Sequence, residues 1–430
     1  MKYRIKQGGL WLACLLLCAC KSDTIVTTTA QTAEVDIDAT IASQTPEADK
    51  GFDCDYYMRN GFLTEDIALY HDFHERLMIY DVKSGKDLVF CFDPGCEHER
   101  GQKSQTGEVI KKGCIAYEFY TDTVLLQDEN CYFMDRFTGE VYCSDRQGEN
   151  RRLLGNIPTY IQANNVFFSK DALFATYATQ YEMIEIKNEG GESQWVVGEK
   201  KDLDTCGIAR FDLNDGTFTE VFRAEGYNAM VSQRDIRGNH LYFQYSYTDL
   251  PYMAPDGNMF GLELPEEYKE LSIEEYIAER NRRYKMYIYD YDISTGELKA
   301  VLENEPIINV CFCKDFFAIA VPGSGKTKLY RYSGECFREL DHTMTRGIRS
   351  DEHLICFFEE TPADCMMIDE TTGEELKRVT IPQNTIFPYV IIGESCYGSV
   401  SKNGTSGSGY ISAEDFWKGD FSKAVAFTTR

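Results

Sequence analysis

From residue 51 onward, apolar and polar positions alternate in short runs, as in Leu77–Asp81, residues 286–291 and Leu354–Phe358, and turn-forming residues break each run. Period-two alternation over four to eight residues predicts strands with one face buried. Helical periodicity is confined to one stretch, about 265–284. There Ser272-Ile-Glu-Glu275 has the capping-box pattern ahead of Tyr276 and Ile277. The pattern predicts an all-β chain with one helical insertion.

One element recurs within it: an apolar strand ending in Asp, three residues, then Gly. It pairs Asp81 with Gly85, Asp135 with Gly139, Asp212 with Gly216, Asp292 with Gly296, Asp369 with Gly373 and Asp415 with Gly419, with a shortened copy at Tyr332-Ser333-Gly334. An Asp carboxylate can accept hydrogen bonds from the loop's own backbone, and Gly takes the positive-φ position that closes a hairpin. The seven glycines are 54, 77, 80, 38, 39 and 46 residues apart. The shorter gaps match the roughly 40–50 residues of a four-stranded propeller blade. The expected fold is therefore a β-propeller over residues 51–430. Seven blades is the leading count; six or eight are the alternatives, since the 77-residue gap has room for a degenerate blade. Insertions are expected at about 91–114 and 245–284.

Charge narrows the partners. With 70 acidic and 44 basic side chains, the formal net charge is -26. Such a chain repels polyanions, so no nucleic-acid partner is expected.

The N-terminus predicts location. Lys2, Arg4 and Lys6 precede an apolar run at 10–17, far short of a spanning helix, and the run ends at Leu17-Cys18-Ala19-Cys20. This stretch resembles the lipobox of bacterial lipoproteins. The resemblance implies a signal peptide over 1–19, diacylglyceryl transfer to the Cys20 thiol, and anchoring to the outer face of the cell membrane. Residues 21–50 hold no aromatic residue and no glycine. They read as a disordered tether spanning roughly 30 Å as a coil. Together with the Tyr-x-Tyr-Asp-x-x-Thr-Gly-Glu blade ending at Glu297, these features resemble uncharacterised propeller lipoproteins of Clostridia. Their propellers are in turn similar to the low-density lipoprotein receptor type. The resemblance implies fold and location and carries no catalytic residue over.

The sharpest local chemistry is Cys91-Phe-Asp-Pro-Gly-Cys96-Glu-His98 followed by Cys114. Three thiols and one imidazole suit a tetrahedral structural zinc site. A Cys91–Cys96 or Cys96–Cys114 disulfide, or unpaired thiols, are the alternatives. The Cys-x-His spacing is tight, because residues i and i+2 must both turn inward. The lipoproteins it resembles show a similar segment. Beyond Cys20 there are 13 cysteines, an odd number that cannot pair completely within one chain. Those inside strand-like runs, such as Cys131, Cys356 and Cys365, read as small core residues.

Two glycine-rich stretches tempt a catalytic reading. In Pro322-Gly-Ser-Gly-Lys326-Thr327 a phosphate loop would need Gly where Ala320 stands, so the stretch reads as a hairpin tip. Residues 403–409 place Ser408 where a nucleophile elbow needs Gly and read as a flexible loop. The segment 245–260 is rich in Tyr, Pro, Met and Gly. Tyr245, Tyr247, Tyr252 and Phe260 are its candidate binding-rim residues, because aromatics on loops give contact area at low entropic cost. The functional expectation is a lipid-anchored module that binds a protein, peptide or glycan through its loops, without catalysis. The alternatives are a polysaccharide hydrolase or lyase using paired carboxylates at the propeller channel, and a passive structural subunit.

Overall fold

A computed structural model describes residues 56–427 apart from short internal stretches, among them 92–94, 104–108, 158–165, 188–192 and 251–267. Cys20, the signal stretch and the tether lie outside the described residues. So do Tyr252 and Phe260.

The strands form seven successive antiparallel units, and the count of seven blades holds. Blade 1 runs from Gly61–Leu63 to Lys86–Val89, with Tyr56–Met58 added beyond its first strand. Blade 2 comprises the four strands between Asp122 and Asn156. Blades 3 and 4 share one 20-residue strand, Phe218–Arg237. Its first half pairs with Ser193–Asp212 as the outermost strand of blade 3. Its second half pairs with His240–Thr248 as the first strand of blade 4. Blades 5, 6 and 7 begin at Asn309–Phe312, Met344–Ile348 and Ile386–Ile392. The first strands of blades 1, 2 and 3 lie beside one another in turn, as do those of blades 4, 5, 6 and 7, and a parallel bridge joins Arg349 to Val390 between blades 6 and 7. They form the inner wall of the ring.

Each blade buries both faces only by contact with its neighbours, so the core is a circle of inter-blade clusters. Ile79, Phe133 and Phe211 join blades 1, 2 and 3, and Phe174, Ile208 and Phe243 join 3 and 4. Ile288 with Phe317, Phe316 with Phe358, and Phe357 with Ile391 continue round to blade 7. Tyr70 and Tyr80 of blade 1 then meet Tyr397 and Phe427 of blade 7. Among the described residues no strand is shared across that last seam. Side-chain packing closes the ring, with Tyr397 Oη donating to the Ile67 carbonyl at 3.4 Å.

The repeated turns work as their chemistry predicts. Asp292 Oδ1 accepts from the backbone of Ser294 (2.8 Å) and Thr295 (3.1 Å), and Asp369 Oδ1 from Thr371 (2.9 Å) and Thr372 (2.7 Å). Gly296 and Gly373 sit at φ 75° and 76°, and their N–H groups return to the Asp carbonyls. These loops join the third and fourth strands of their blades. Asp135 with Gly139 instead joins the second and third strands of blade 2.

Two expectations need correction, and the alternative of an extra blade is not met. Asp415 and Gly419 do not close a hairpin. They belong to a short helix, Ala413–Lys418, which Ser412 caps by accepting from Asp415 N–H at 3.0 Å and which Gly419 ends at φ 73°. The same i,i+4 spacing of Asp and Gly suits a single capped helical turn, and the intervening residues are not β-branched. Residues 405–409 are not a flexible loop. They open the strand Thr405–Ser412, which pairs throughout with Ser395–Lys402. Finally, the 77-residue gap holds no extra blade among its described residues. Much of it is a long hairpin, Ala172–Lys187 with Ser193–Asp212, that continues well past the point where the neighbouring strand of blade 3 stops pairing.

The helical insertion is present as Ile273–Arg282, later than its expected start. Its capping box is formed: Glu275 N–H donates to Ser272 Oγ at 3.2 Å, and Ser272 N–H to the Glu275 carboxylate at 2.8 Å. Tyr276 is fully buried against Leu250, with Tyr268 and Leu271 packed around them. No described helix is long and apolar enough to cross a membrane.

Candidate metal centre

The excursion that leaves blade 1 after Val89 and reaches blade 2 at Asp122 brings Cys91, Cys96, His98 and Cys114 together. Cys91 directly follows the last strand of blade 1, where Phe90 N–H donates to the Leu77 carbonyl at 2.9 Å and anchors the exit of the chain. A short ribbon, Gln102–Lys103 with Val109–Lys111, folds the chain back. Gly113 then lies so close to Gly101 that a Cβ on it would fall 2.3 Å from the Gly101 nitrogen. Only a glycine permits that approach, which seats Cys114 beside the 96–100 segment. Cys114 N–H donates to the Glu99 carbonyl at 2.9 Å.

The tight Cys-x-His spacing is accommodated by the backbone. His98 adopts φ 53°, in the left-handed region, and this turns its ring toward the side that Cys96 faces. Its N–H donates to Cys96 Sγ at 3.4 Å. His98 Nδ1 lies 3.6 Å from Cys114 Sγ. The four ligand atoms all lie within 4.8 Å of one another, with Cys114 buried and the other three residues half-buried.

The His98–Cys114 distance fits a tetrahedral cation. Metal–sulfur and metal–nitrogen bonds of about 2.3 and 2.05 Å at a tetrahedral angle give an S···N edge of about 3.6 Å. No disulfide joins Cys91, Cys96 and Cys114, or any other pair of cysteines, among the described residues. Burial pushes the Cys114 thiol up to about 12, opposed by a hydrogen bond from the Ala116 backbone and reinforced by Cys91 and Cys96 beside it. The neighbouring thiols thus add to the cost of ionising Cys114, and a divalent cation reverses that cost. Four protein donors would fill a tetrahedral coordination, the arrangement of a structural site rather than a catalytic one.

The aromatic candidates are placed differently. Tyr245 lies on the strand His240–Thr248, 5% exposed, in the core between blades 3 and 4, and not on a loop rim. Alternation along that strand turns Phe243, Tyr245 and Tyr247 to one face. Tyr245 and Tyr247 stack at 5.5 Å and both stack on Tyr287. Tyr247 is half-buried, with Lys285 Nζ 5.5 Å over its ring. The structure thus unites all four sulfur and imidazole candidates and places Tyr245 in the core between blades.

No family model and no curated protein matches the chain. Solved structures similar to it are β-propeller proteins. An oligogalacturonate lyase from Vibrio parahaemolyticus is 7% identical, with 84% of this chain and 89% of that one covered, at a TM-score of 0.44. The WD40 β-propeller domain of Doa1 is 11% identical, with 70% and 79% covered, at a TM-score of 0.36. A puromycin-hydrolyzing peptidase of Mycobacterium tuberculosis is 9% identical at a TM-score of 0.47. It is matched over 84% of this chain, which spans about half (54%) of the peptidase. The likeness is one of fold alone.

Proposed function

We propose that the chain is a lipid-anchored, extracytoplasmic β-propeller that acts as a binding module, with a structural zinc ion held by Cys91, Cys96, His98 and Cys114. The observation that carries the metal reading is the convergence of four donor atoms within 4.8 Å from three separate points of one excursion. The sequence 17–20, which resembles a lipobox, supports the anchor, and residues 21–50 supply a spacer between membrane and propeller. Zinc would hold the crossover from blade 1 to blade 2 in one conformation, because the ribbon between Cys96 and Cys114 is too short to be stable on its own.

The test is metal content and free-thiol count of the protein purified without oxygen, alongside Cys96→Ser. About one zinc per chain, lost in the variant, is the expected result. Absence of metal together with two fewer free thiols would make the excursion disulfide-clipped and refute the metal reading. The anchor is tested separately by mass spectrometry of the N-terminal peptide, where an acylated Cys20 is expected. An uncleaved or unmodified Cys20 would refute it.

A further inference from the structure

The three sulfurs of the cluster are not equally reachable. Cys114 is 3% exposed and is followed by the turn Ile115–Tyr117, which packs against the blade 1 strand Leu77–Asp81. Cys91 and Cys96 are half-buried, and Gly95, Glu97 and Glu99 around Cys96 are exposed. An oxidant arriving from solvent therefore meets two sulfurs within 4.8 Å of each other, while the third is shielded. A bound zinc keeps its cysteine ligands ionised, and the thiolate is the form that attacks an oxidant. A second thiolate beside the first turns a single oxidation into a disulfide before it can proceed to higher acids.

The two possible cross-links hold different things. Zinc would tie Cys91, Cys96 and His98 to Cys114, closing the base of the excursion that carries the ribbon Gln102–Lys103 with Val109–Lys111. A Cys91–Cys96 disulfide would leave that base to one backbone bond, Cys114 N–H to the Glu99 carbonyl at 2.9 Å, and to the close approach of Gly113 to Gly101. His98 and Cys114, 3.6 Å apart, would remain as two donors where a structural zinc site takes four. A two-stranded ribbon of this size is not stable without such support.

We propose that the cluster is a redox switch, in which hydrogen peroxide converts Cys91 and Cys96 to a disulfide, zinc leaves, and the ribbon between blades 1 and 2 loosens. This rests on the zinc reading above. One thiolate attacks a peroxide oxygen; the O–O bond breaks, leaving a sulfenic acid and a hydroxide. The other thiolate attacks that sulfur, forms the S–S bond and expels a second hydroxide. The two sulfurs are oxidised, and the peroxide is reduced to two waters as two protons are taken up. Zinc departs as the divalent ion, and Cys114 takes a third proton.

The experiment uses the full chain in detergent, purified without oxygen, with zinc and free thiols counted first. Hydrogen peroxide is then added stepwise while a zinc-binding dye reports release. About one zinc should leave each chain as about two thiols disappear. Peptide mapping should find a Cys91–Cys96 disulfide, and hydrogen exchange should quicken in the ribbon but not in the blades. A phosphine reductant with added zinc should reverse all of these changes. Cys336→Ser removes an exposed thiol outside the cluster and should release zinc unchanged. Zinc retained at peroxide levels that oxidise Cys336, release with sulfinic or sulfonic acids in place of a disulfide, or a disulfide that includes Cys114 would overturn the switch and leave the zinc reading standing. A protein without zinc before peroxide is added would overturn both.

Discussion

Because no described strand crosses the seam between blades 7 and 1, ring closure rests on a few aromatic side chains. Phe427 is the decisive one. It is 1% exposed and its ring lies 4.9 Å from those of both Tyr70 and Tyr80 of blade 1, and 6.4 Å from that of Tyr397. Phe427→Ala would empty this junction. Truncating a buried Phe costs about 3–5 kcal/mol, including the lost ring contacts. For a domain of this size, an unfolding entropy near 2.1 cal/mol/K per residue converts about 4 kcal/mol into a fall of roughly 5 °C in Tm. The assay is thermal and urea unfolding of the variant beside Phe387→Ala, whose ring is 40% exposed on blade 7 and should cost far less. Hydrogen exchange should show the added opening concentrated in the second and third strands of blade 1, which carry Tyr70 and Tyr80, and in the last of blade 7. If Phe427→Ala lost no more stability than Phe387→Ala, this cluster would not hold the seam and closure by side-chain packing would be wrong.

Three further outcomes rest on local geometry. Gly85 and Gly216 both sit at positive φ, 65° and 75°, but a Cβ meets nothing at Gly85 and would fall 2.4 Å from the Leu154 carbonyl of blade 2 at Gly216. Gly85→Ala should therefore cost only the roughly 1–2 kcal/mol of a left-handed alanine. Gly216→Ala should cost clearly more in the same urea titration, and equal losses would refute the inter-blade contact. Hydrogen bonds from the Ser294 hydroxyl and the Thr295 backbone hold the Asp292 carboxyl down at about 2. Its contribution to stability is thus fully present above the unfolded value of 3.8 and is lost as pH falls through about 2. An NMR titration of Asp292 with a midpoint near 4 would contradict the turn geometry. Among the described cysteines outside the metal cluster, Cys336 is exposed, whereas burial pushes Cys206 up to about 12. Brief alkylation of the folded protein at pH 8 should label Cys336 and spare Cys206, and mass mapping that finds Cys206 modified first would count against the packing.

What the chain reveals in advance divides along the line between local and ring-level structure. The Asp-to-Gly loops are legible because their hydrogen bonds stay within five residues, as at Asp292 and Asp369. The thiol and imidazole cluster is legible because donor types and spacing are themselves local, although the positive φ of His98 that makes Cys-x-His workable is not. Asp415 and Gly419 mislead because a capped helical turn uses the same spacing as the hairpin. Alternation along 172–212 signals strands, but it does not distinguish a further blade from a hairpin that outruns its own. Tyr245 misleads in another way: a dense run of tyrosines looks like a binding rim until neighbouring blades cover one face of the strand that carries it. The ion pair of Asp235 with Arg349, 2.9 Å long, passes unnoticed because the two residues are far apart in the chain, and only the ring brings their strands within reach.

The central claim is that Cys91, Cys96, His98 and Cys114 form one metal centre in the crossover between blades 1 and 2. Zinc-edge X-ray absorption of the protein as purified without oxygen tests it most directly. Three sulfur neighbours at about 2.3 Å and one nitrogen near 2.0–2.1 Å would support the claim. A shell of oxygen and nitrogen alone, four sulfurs, or a metal-free protein with a Cys91–Cys96 or Cys96–Cys114 disulfide would contradict it.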